Sequence, residues 1–438
     1  MGAAEELIEK PEKAYKEYLN VKFLLLAALV GLLSAGFTYL VDLAGSLCAQ
    51  VYHYNGNLMY VYTPVIFIVI VFLLKKYFPY SDGSGLPQGY AVDVFDNQQI
   101  ANIYSIKTAI GKVILTFLSI LGGASLGKEG PTIQLCSSLF NQFQNISDQK
   151  RRLLIKLGAG VGVAAAFNTP LGGMIFAIEE YVRKVSSKIA SLLVGATLVA
   201  VAVCNYFQGN EPYLGRIDPA NLAHGNYTGF IAILVGVTCG LCGALFTKCI
   251  VFVSVNRTWF VNRWRKNHFL LNALIFGLIV ALIGNLTHGL SFGNGSINNK
   301  IFLDSGSDAP WYYAMSKFFG AIASVGAGVP GGYFSTALSI GAGIGDLIYH
   351  FLPSISLAQF YLLGMTAFLA AITQSPITAV AMVVEMSNTS DFCLPILIAG
   401  FIASVISEQF GDSVYHQQVL NYIPADRYKE TVQTFSEK

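Results

Sequence analysis

The sequence predicts an all-α, polytopic membrane protein assembled from two related halves, many of its helices short and broken. Three observations predict it. First, of 438 residues 54% are hydrophobic and only 12% charged, about half the charged share of a soluble globular chain. Second, apolar runs recur: Phe23 to Leu47 is broken only by Asp42, and Thr63 to Leu74, Gly229 to Val255 and Phe269 to Leu286 are almost uncharged, so several can cross a bilayer as helices. Third, the chain repeats itself. Gly158 to Glu180, GAGVGVAAAFNTPLGGMIFAIEE, aligns without a gap on Gly364 to Met386, GMTAFLAAITQSPITAVAMVVEM, at a constant offset of 206 residues that pairs Gly158 with Gly364, Pro170 with Pro376 and Glu179 with Glu385.

In chain order, residues 1–20 are polar and mix acids with lysines. They lack the apolar core and small-residue cleavage site of a signal peptide. Glu6 stands where a myristoylation signal requires Ser or Thr, so the segment reads as a surface helix on the cytosolic face. A membrane region follows over 21–424, its first repeat about 21–206 and its second about 227–424, and 425–438 form a short tail. Basic clusters beside the apolar runs, namely Lys75 and Lys76, Lys150 to Arg152, Arg183, Lys184 and Lys188, and Arg263, Arg265 and Lys266, mark cytoplasmic loops. Gly209 to Gly229, with one Arg and no Lys, reads as an outside loop, and both termini fall on the cytoplasmic side. The seven cysteines lack CxxC spacing and read as packing residues. No basic run is interleaved with aromatics, which excludes a nucleic-acid groove.

Each half carries glycine-rich breaks in the same order: GSGLP from Gly83 and GKEGP from Gly127 in the first, FGNGS from Phe292 and GGYFST from Gly331 in the second. Irregular backbone at membrane depth is tolerated only where protein encloses it or it lines a wet cavity, and in repeat transporters such breaks flank the substrate site. Helix N-termini aimed into a cavity offer N–H groups to an anion without a fixed positive charge. Ser84 can add a hydroxyl, and the N–H groups around Tyr333 and Phe334 can complete the shell. Glu129, an acid at membrane depth inside GKEGP, is a functional candidate by position: its carboxylate can take the anion's place, and protonation would release it. Glu179 and Glu180 close an apolar stretch. They read equally as a solvated helix end or as an entry point for protons. Hydropathy does not establish that the repeats are inverted, which odd numbers of crossings per half would require.

Two short motifs are set aside. GASLG, from Gly123, fits the GxSxG of a serine hydrolase around Ser125, but it needs a strand-turn-helix setting and a histidine base, and His350 and His416 sit at polar ends. GAGVPG, from Gly326, fits a dinucleotide fingerprint without its βαβ setting. No metal or nucleotide motif is present, so no enzyme is expected and no cofactor is implied.

GSGLP, GKEGP and GGYFS, in this order, resemble the signature segments of the CLC chloride channels and chloride/proton exchangers, and the resemblance runs from about Val21 to Ile423. It implies the CLC-type fold of two inverted-topology repeats, a homodimer with one pore per subunit, and a chloride/proton antiporter in which chloride ions are bound and transported. Ser84 matches the serine on the central chloride, Tyr415 the tyrosine that closes that site, and Tyr333 and Phe334 the pair whose N–H groups face the ion. Gly85, Lys128 and Gly130 complete the chloride-binding set. Glu129 matches the external gate and proton carrier, and Glu180 the internal proton-transfer glutamate of the exchangers, against the alternative of a passive chloride channel of the same fold. Ser84 and Tyr415 favour chloride over nitrate or fluoride. Thr336 stands where the family usually has proline, and Lys128 where arginine is commoner. The short tail leaves no room for paired regulatory domains, as in prokaryotic members, which points to an inner-membrane protein.

Overall fold

The computed structural model describes residues 2–143, 146–182, 186–215, 217, 222, 227–255 and 267–423, the side chains of 2–20 and 188 excepted. The readings placed on Arg183, Lys184, the side chain of Lys188, Arg263, Arg265, Lys266, the tail 425–438 and part of the 209–229 loop lie outside the described residues. In the first half the helices are α1 Gly2–Tyr54, α2 Met59–Tyr77, α3 Leu86–Tyr90, α4 Asn97–Ile103, α5 Ile106–Leu121, α6 Glu129–Phe140, α7 Asp148–Phe167, α8 Pro170–Phe176 and α9 Ser187–Gln208. The second half contributes α10 Thr228–Ser254, α11 Phe269–Leu286, α12 Ser296–Ser305, α13 Tyr313–Ala327, α14 Phe334–Phe351, α15 Leu357–Thr373, α16 Pro376–Ser387, α17 Cys393–Glu408 and α18 Val414–Val419. The described residues form no strand; one isolated bridge pairs Gly127 with Gly332. The backbone of α1 runs unbroken from the polar 1–20 segment into the first apolar run.

Six of these helices are long and apolar enough to cross a membrane, or seven if α4 and α5, bent by 41°, form one span. Their packing follows the rule for helices in lipid, where small residues let backbones approach and large apolar ones face the chains. Helix α11 shows it: Ala273, Gly277, Ala281 and Gly284 point inward while Leu271, Leu278, Leu282 and Leu286 are exposed. Helices α6 and α15 are the opposite case, with every residue buried. They form a central layer shielded from lipid, and α14 packs on α15 so closely that a Cβ on Gly364 would lie 2.1 Å from the carbonyl oxygen of Gly341.

The sequence repeat is also a backbone repeat. Helix α7 ends on Asn168 at φ 56, and α15 on Gln374 at φ 58, the left-handed conformation that stops a helix. Thr169 and Ser375 then share φ −128 with ψ 79 and 75, outside the helical region that a following proline disfavours, and Pro170 and Pro376 open the next helices. The halves clasp reciprocally. The Glu179 carboxylate accepts the N–H groups of Ile377 at 3.3 Å and Thr378 at 2.7 Å, plus the Thr378 hydroxyl at 2.6 Å, all in the first turn of α16. Glu385 accepts those of Leu171 at 3.1 Å and Gly172 at 2.7 Å in the first turn of α8. Contacts that repeat with the partners exchanged are what a two-fold relation between like units produces.

Candidate functional site

Three of the breaks meet at one point. Gly332 exchanges both backbone hydrogen bonds with Gly127, at 2.7 and 2.8 Å, and the Gly331 N–H reaches the Gly83 carbonyl at 3.3 Å. Gly85 sits at φ +104, where a Cβ would come within 2.5 Å of the Gly130 carbonyl, so only glycine lets GSGLP lie against GKEGP. Below this junction, Lys112 of α5 is wholly buried and donates to the carbonyls of Asp82 at 2.6 Å and Gly83 at 2.8 Å. Its counterpart in the second half, Lys317, is equally buried and holds the carbonyls of Ser291, Phe292 and Gly293 at 3.0 to 3.3 Å. Each lysine neutralises the oxygens of a break that has lost its helical partners.

Glu129 is the first residue of α6 and is fully buried. One carboxylate oxygen accepts the hydroxyl of Ser335, from the first turn of α14, and the other has no partner among the described residues. The N–H groups of Glu129 and Gly130, and of Tyr333 and Phe334, take no carbonyl among the described residues, so two helix starts present open donors to the same space. Tyr415 of α18 closes it from the side. Its ring stacks on Tyr333 at 5.5 Å, with an interplanar angle of 6°, and on Phe334 at 6.0 Å. Its hydroxyl is buried and unpartnered among the described residues. Ser84, also buried, accepts the Leu86 N–H at 3.4 Å. Tyr333 donates to Gln418 at 2.7 Å.

Two cavities approach this centre. One, of about 400 Å³, is lined by Lys75, Asp82, Gly83, Ser254, Tyr333 and Gln418. The other, of about 810 Å³, is lined by Thr38, Asp42, Lys128, Tyr213 and Lys300. Lys128 belongs to this second cavity: its ammonium donates to Thr38 at 2.6 Å and lies 6.0 Å from the Tyr213 ring. Thr336 is buried, its hydroxyl tied to the Ser125 carbonyl at 3.2 Å, so a cross-link between halves occupies the usual proline position.

Glu180 stands apart from the centre. A π-helical turn, Ala177–Val182, follows α8, and such turns set consecutive side chains off the regular spacing. Through it Glu179 reaches the backbone of α16 while Glu180, 6% exposed, accepts the hydroxyls of Tyr90 and of Ser375. The Tyr90 ring lies 4.8 Å from Tyr181 and 4.4 Å from His416, and Tyr181 donates to the Leu86 carbonyl at 3.1 Å, which links the Glu180 pocket to the GSGLP helix. The structure therefore gathers Ser84, Gly85, Glu129, Gly130, Tyr333, Phe334 and Tyr415, places Lys128 at a cavity wall, and puts Glu180 in its own buried pocket. Sequence reasoning missed Lys112, Lys317, Ser335, Tyr90 and Tyr213. A lysine inside an apolar run was the available signal for the first two.

The GASLG motif loses its chemistry here. The Ser125 hydroxyl has no partner among the described residues, while His350 engages Asp346 and Asp308 and His416 engages Ser413.

The description of the voltage gated chloride channel family matches residues 65–408, most of the chain. The chain belongs to the voltage-gated chloride channel family. Similar family members include the H(+)/Cl(-) exchange transporter ClcA of Vibrio cholerae serotype O1 (strain M66-2), 26% identical over 376 residues, covering 80% of this chain and 76% of that protein. The ClcA protein of Yersinia pestis bv. Antiqua (strain Angola) is 27% identical over 380 residues, covering 80% and 74%. Among solved structures, a slow cyanobacterial Cl-/H+ antiporter superposes with a TM-score of 0.76 at 21% identity, covering 92% of this chain and 97% of that one. A CLC-type fluoride/proton antiporter superposes with a TM-score of 0.78 at 18% identity, covering 92% and 98%. The fold of this family member is thus the CLC fold.

Proposed function

We propose that this protein is a secondary active chloride/proton antiporter. The observation that carries the reading is the pair of buried carboxylates, Glu129 and Glu180, set about the centre formed by Ser84, Tyr333, Phe334 and Tyr415. Relatives named as H(+)/Cl(-) exchange transporters support it. Chloride is held by the Ser84 and Tyr415 hydroxyls and by the open N–H groups at the start of α14, with Gly85 and Gly130 giving the backbone its close approach. When ionised, Glu129 competes for the same helix-end donors; a proton removes that attraction, the side chain leaves and the path opens. Glu180 exchanges protons with the cytoplasm in its own pocket, so the two ions share the centre but part on the inner side. Lys128 draws anions into the larger cavity. The protein works as a homodimer in a bacterial inner membrane with both termini in the cytoplasm, needs no cofactor and catalyses no covalent step.

The test is a proton flux in liposomes driven by a chloride gradient. The parent is expected to pump protons uphill, Glu129→Gln and Glu180→Gln to lose proton movement, and Glu180→Gln to keep chloride flux. Chloride flux without proton movement in the parent would make the protein a passive channel.

A further inference from the structure

The gate carboxylate is held by the hydroxyl that ends the GGYFS segment. Ser335, in the first turn of α14, donates to Glu129, and its oxygen also lies 3.1 Å from the Tyr213 hydroxyl. Tyr213 is fixed by an edge contact with Phe167 at 5.3 Å and forms part of the wall of the larger cavity. A serine hydroxyl has one hydrogen and two lone pairs. If Tyr213 donates to the serine oxygen, the serine's single hydrogen is left for Glu129, so the tyrosine sets the direction in which the serine points. Donors arranged in series polarise one another and strengthen the last bond.

We propose that Ser335, oriented by Tyr213, is a latch that holds Glu129 in the ion path as the carboxylate. This rests on the reading of Glu129 as the gate. The latch favours the ionised form, because Ser335 stabilises a charged acceptor more than a neutral one. Protonation of Glu129 therefore weakens the latch as well as the attraction of the helix ends. The titratable groups facing Glu129 are Lys128 beside it, Tyr213, and Tyr415 from α18, with Asp42 of α1 and Cys204 of α9 facing Lys128 in turn. Among the described residues none of the others hydrogen-bonds to the Glu129 carboxylate, which leaves Ser335 as the side chain that grips it.

Loss of a hydrogen bond to a charged group shifts an equilibrium by about tenfold or more. In Ser335→Ala the gate accordingly takes up its proton more readily, and the pH midpoint of chloride exchange in liposomes moves up by about one unit. Tyr213→Phe moves it the same way by less, and Ser335→Thr, which keeps the hydroxyl, restores the parental midpoint. Glu129→Gln is the control for the gate itself and should flatten the profile. A flat Glu129→Gln profile with Ser335→Ala and Tyr213→Phe both superposed on the parent would overturn the latch and leave the gate standing. A Glu129→Gln profile that still follows the parent would overturn the gate, and the latch with it.

Discussion

Removal of the Glu179 carboxylate is expected to uncouple proton from chloride movement, whereas removal of its mirror image, Glu385, is not. Glu179→Ala withdraws the acceptor of two N–H groups and one hydroxyl at the start of α16. Loss of a helix-capping acceptor costs ~1 kcal/mol, and a charge-assisted bond to the Thr378 hydroxyl adds ~1.5 kcal/mol. Ile377 is exposed, so water replaces part of this, and the net is about 2 kcal/mol. In a chain of this length that lowers the melting temperature by about 2 °C. Glu385→Ala withdraws the acceptor of two N–H groups, and Gly172 offers no hydroxyl, so its cost is ~1 kcal/mol. The functional difference is larger than this difference in stability. The residue after Glu179 is Glu180, held by Tyr90 and Ser375, and a turn freed from α16 lets it swing out of that pocket. The residue after Glu385 is Met386, which carries no proton. Melting curves in detergent and the proton-to-chloride ratio in liposomes check both variants. If Glu385→Ala lost coupling as fully as Glu179→Ala, or if Glu179→Ala kept it, the clasp would have no part in positioning Glu180.

Two further outcomes follow from the junction of the breaks. Lys112→Met removes the ammonium from the carbonyls of Asp82 and Gly83, which keep the Gln88 amide and the Gly331 N–H, and should cost on the order of 1.5–3 kcal/mol while weakening chloride binding measured by calorimetry; Lys317→Met, which frees only the loop at Ser291 to Gly293, should destabilise at least as much but leave chloride affinity unchanged. Gly85→Ala forces both a strained φ and a clash with the Gly130 carbonyl, at a cost on the order of 3 kcal/mol, and chloride flux should vanish from liposomes.

The breaks were legible in the sequence because glycine and proline act on backbone locally, and the repeat was legible because Pro170 and Pro376 open the same turn twice. What escaped was recognition across the chain. Ser335 looks like any hydroxyl in a first helical turn until Glu129 is placed opposite it. Tyr90 and Ser375 likewise acquire meaning only from Glu180, which lies 90 and 195 residues away. The Glu179 and Glu180 pair shows the limit most clearly: two adjacent acids after an apolar run have identical sequence surroundings, and a π-helical turn sends one to backbone N–H groups and the other to buried hydroxyls. No periodicity of 3.6 foresees that parting.

The bridge between Gly127 and Gly332 also sets a schedule for biosynthesis. Helix α6, with its acid, its glutamine and its serines, has no face suited to lipid, and Ser335 is made 206 residues after Glu129. At a translation speed of ~5–20 residues per second, the first half waits about 10–40 s for that partner. During that interval the carboxylate and the open helix start must stay sheltered among α1, α5 and α7 or in the water of the insertion machinery, so the ion path comes into existence only when the second half arrives.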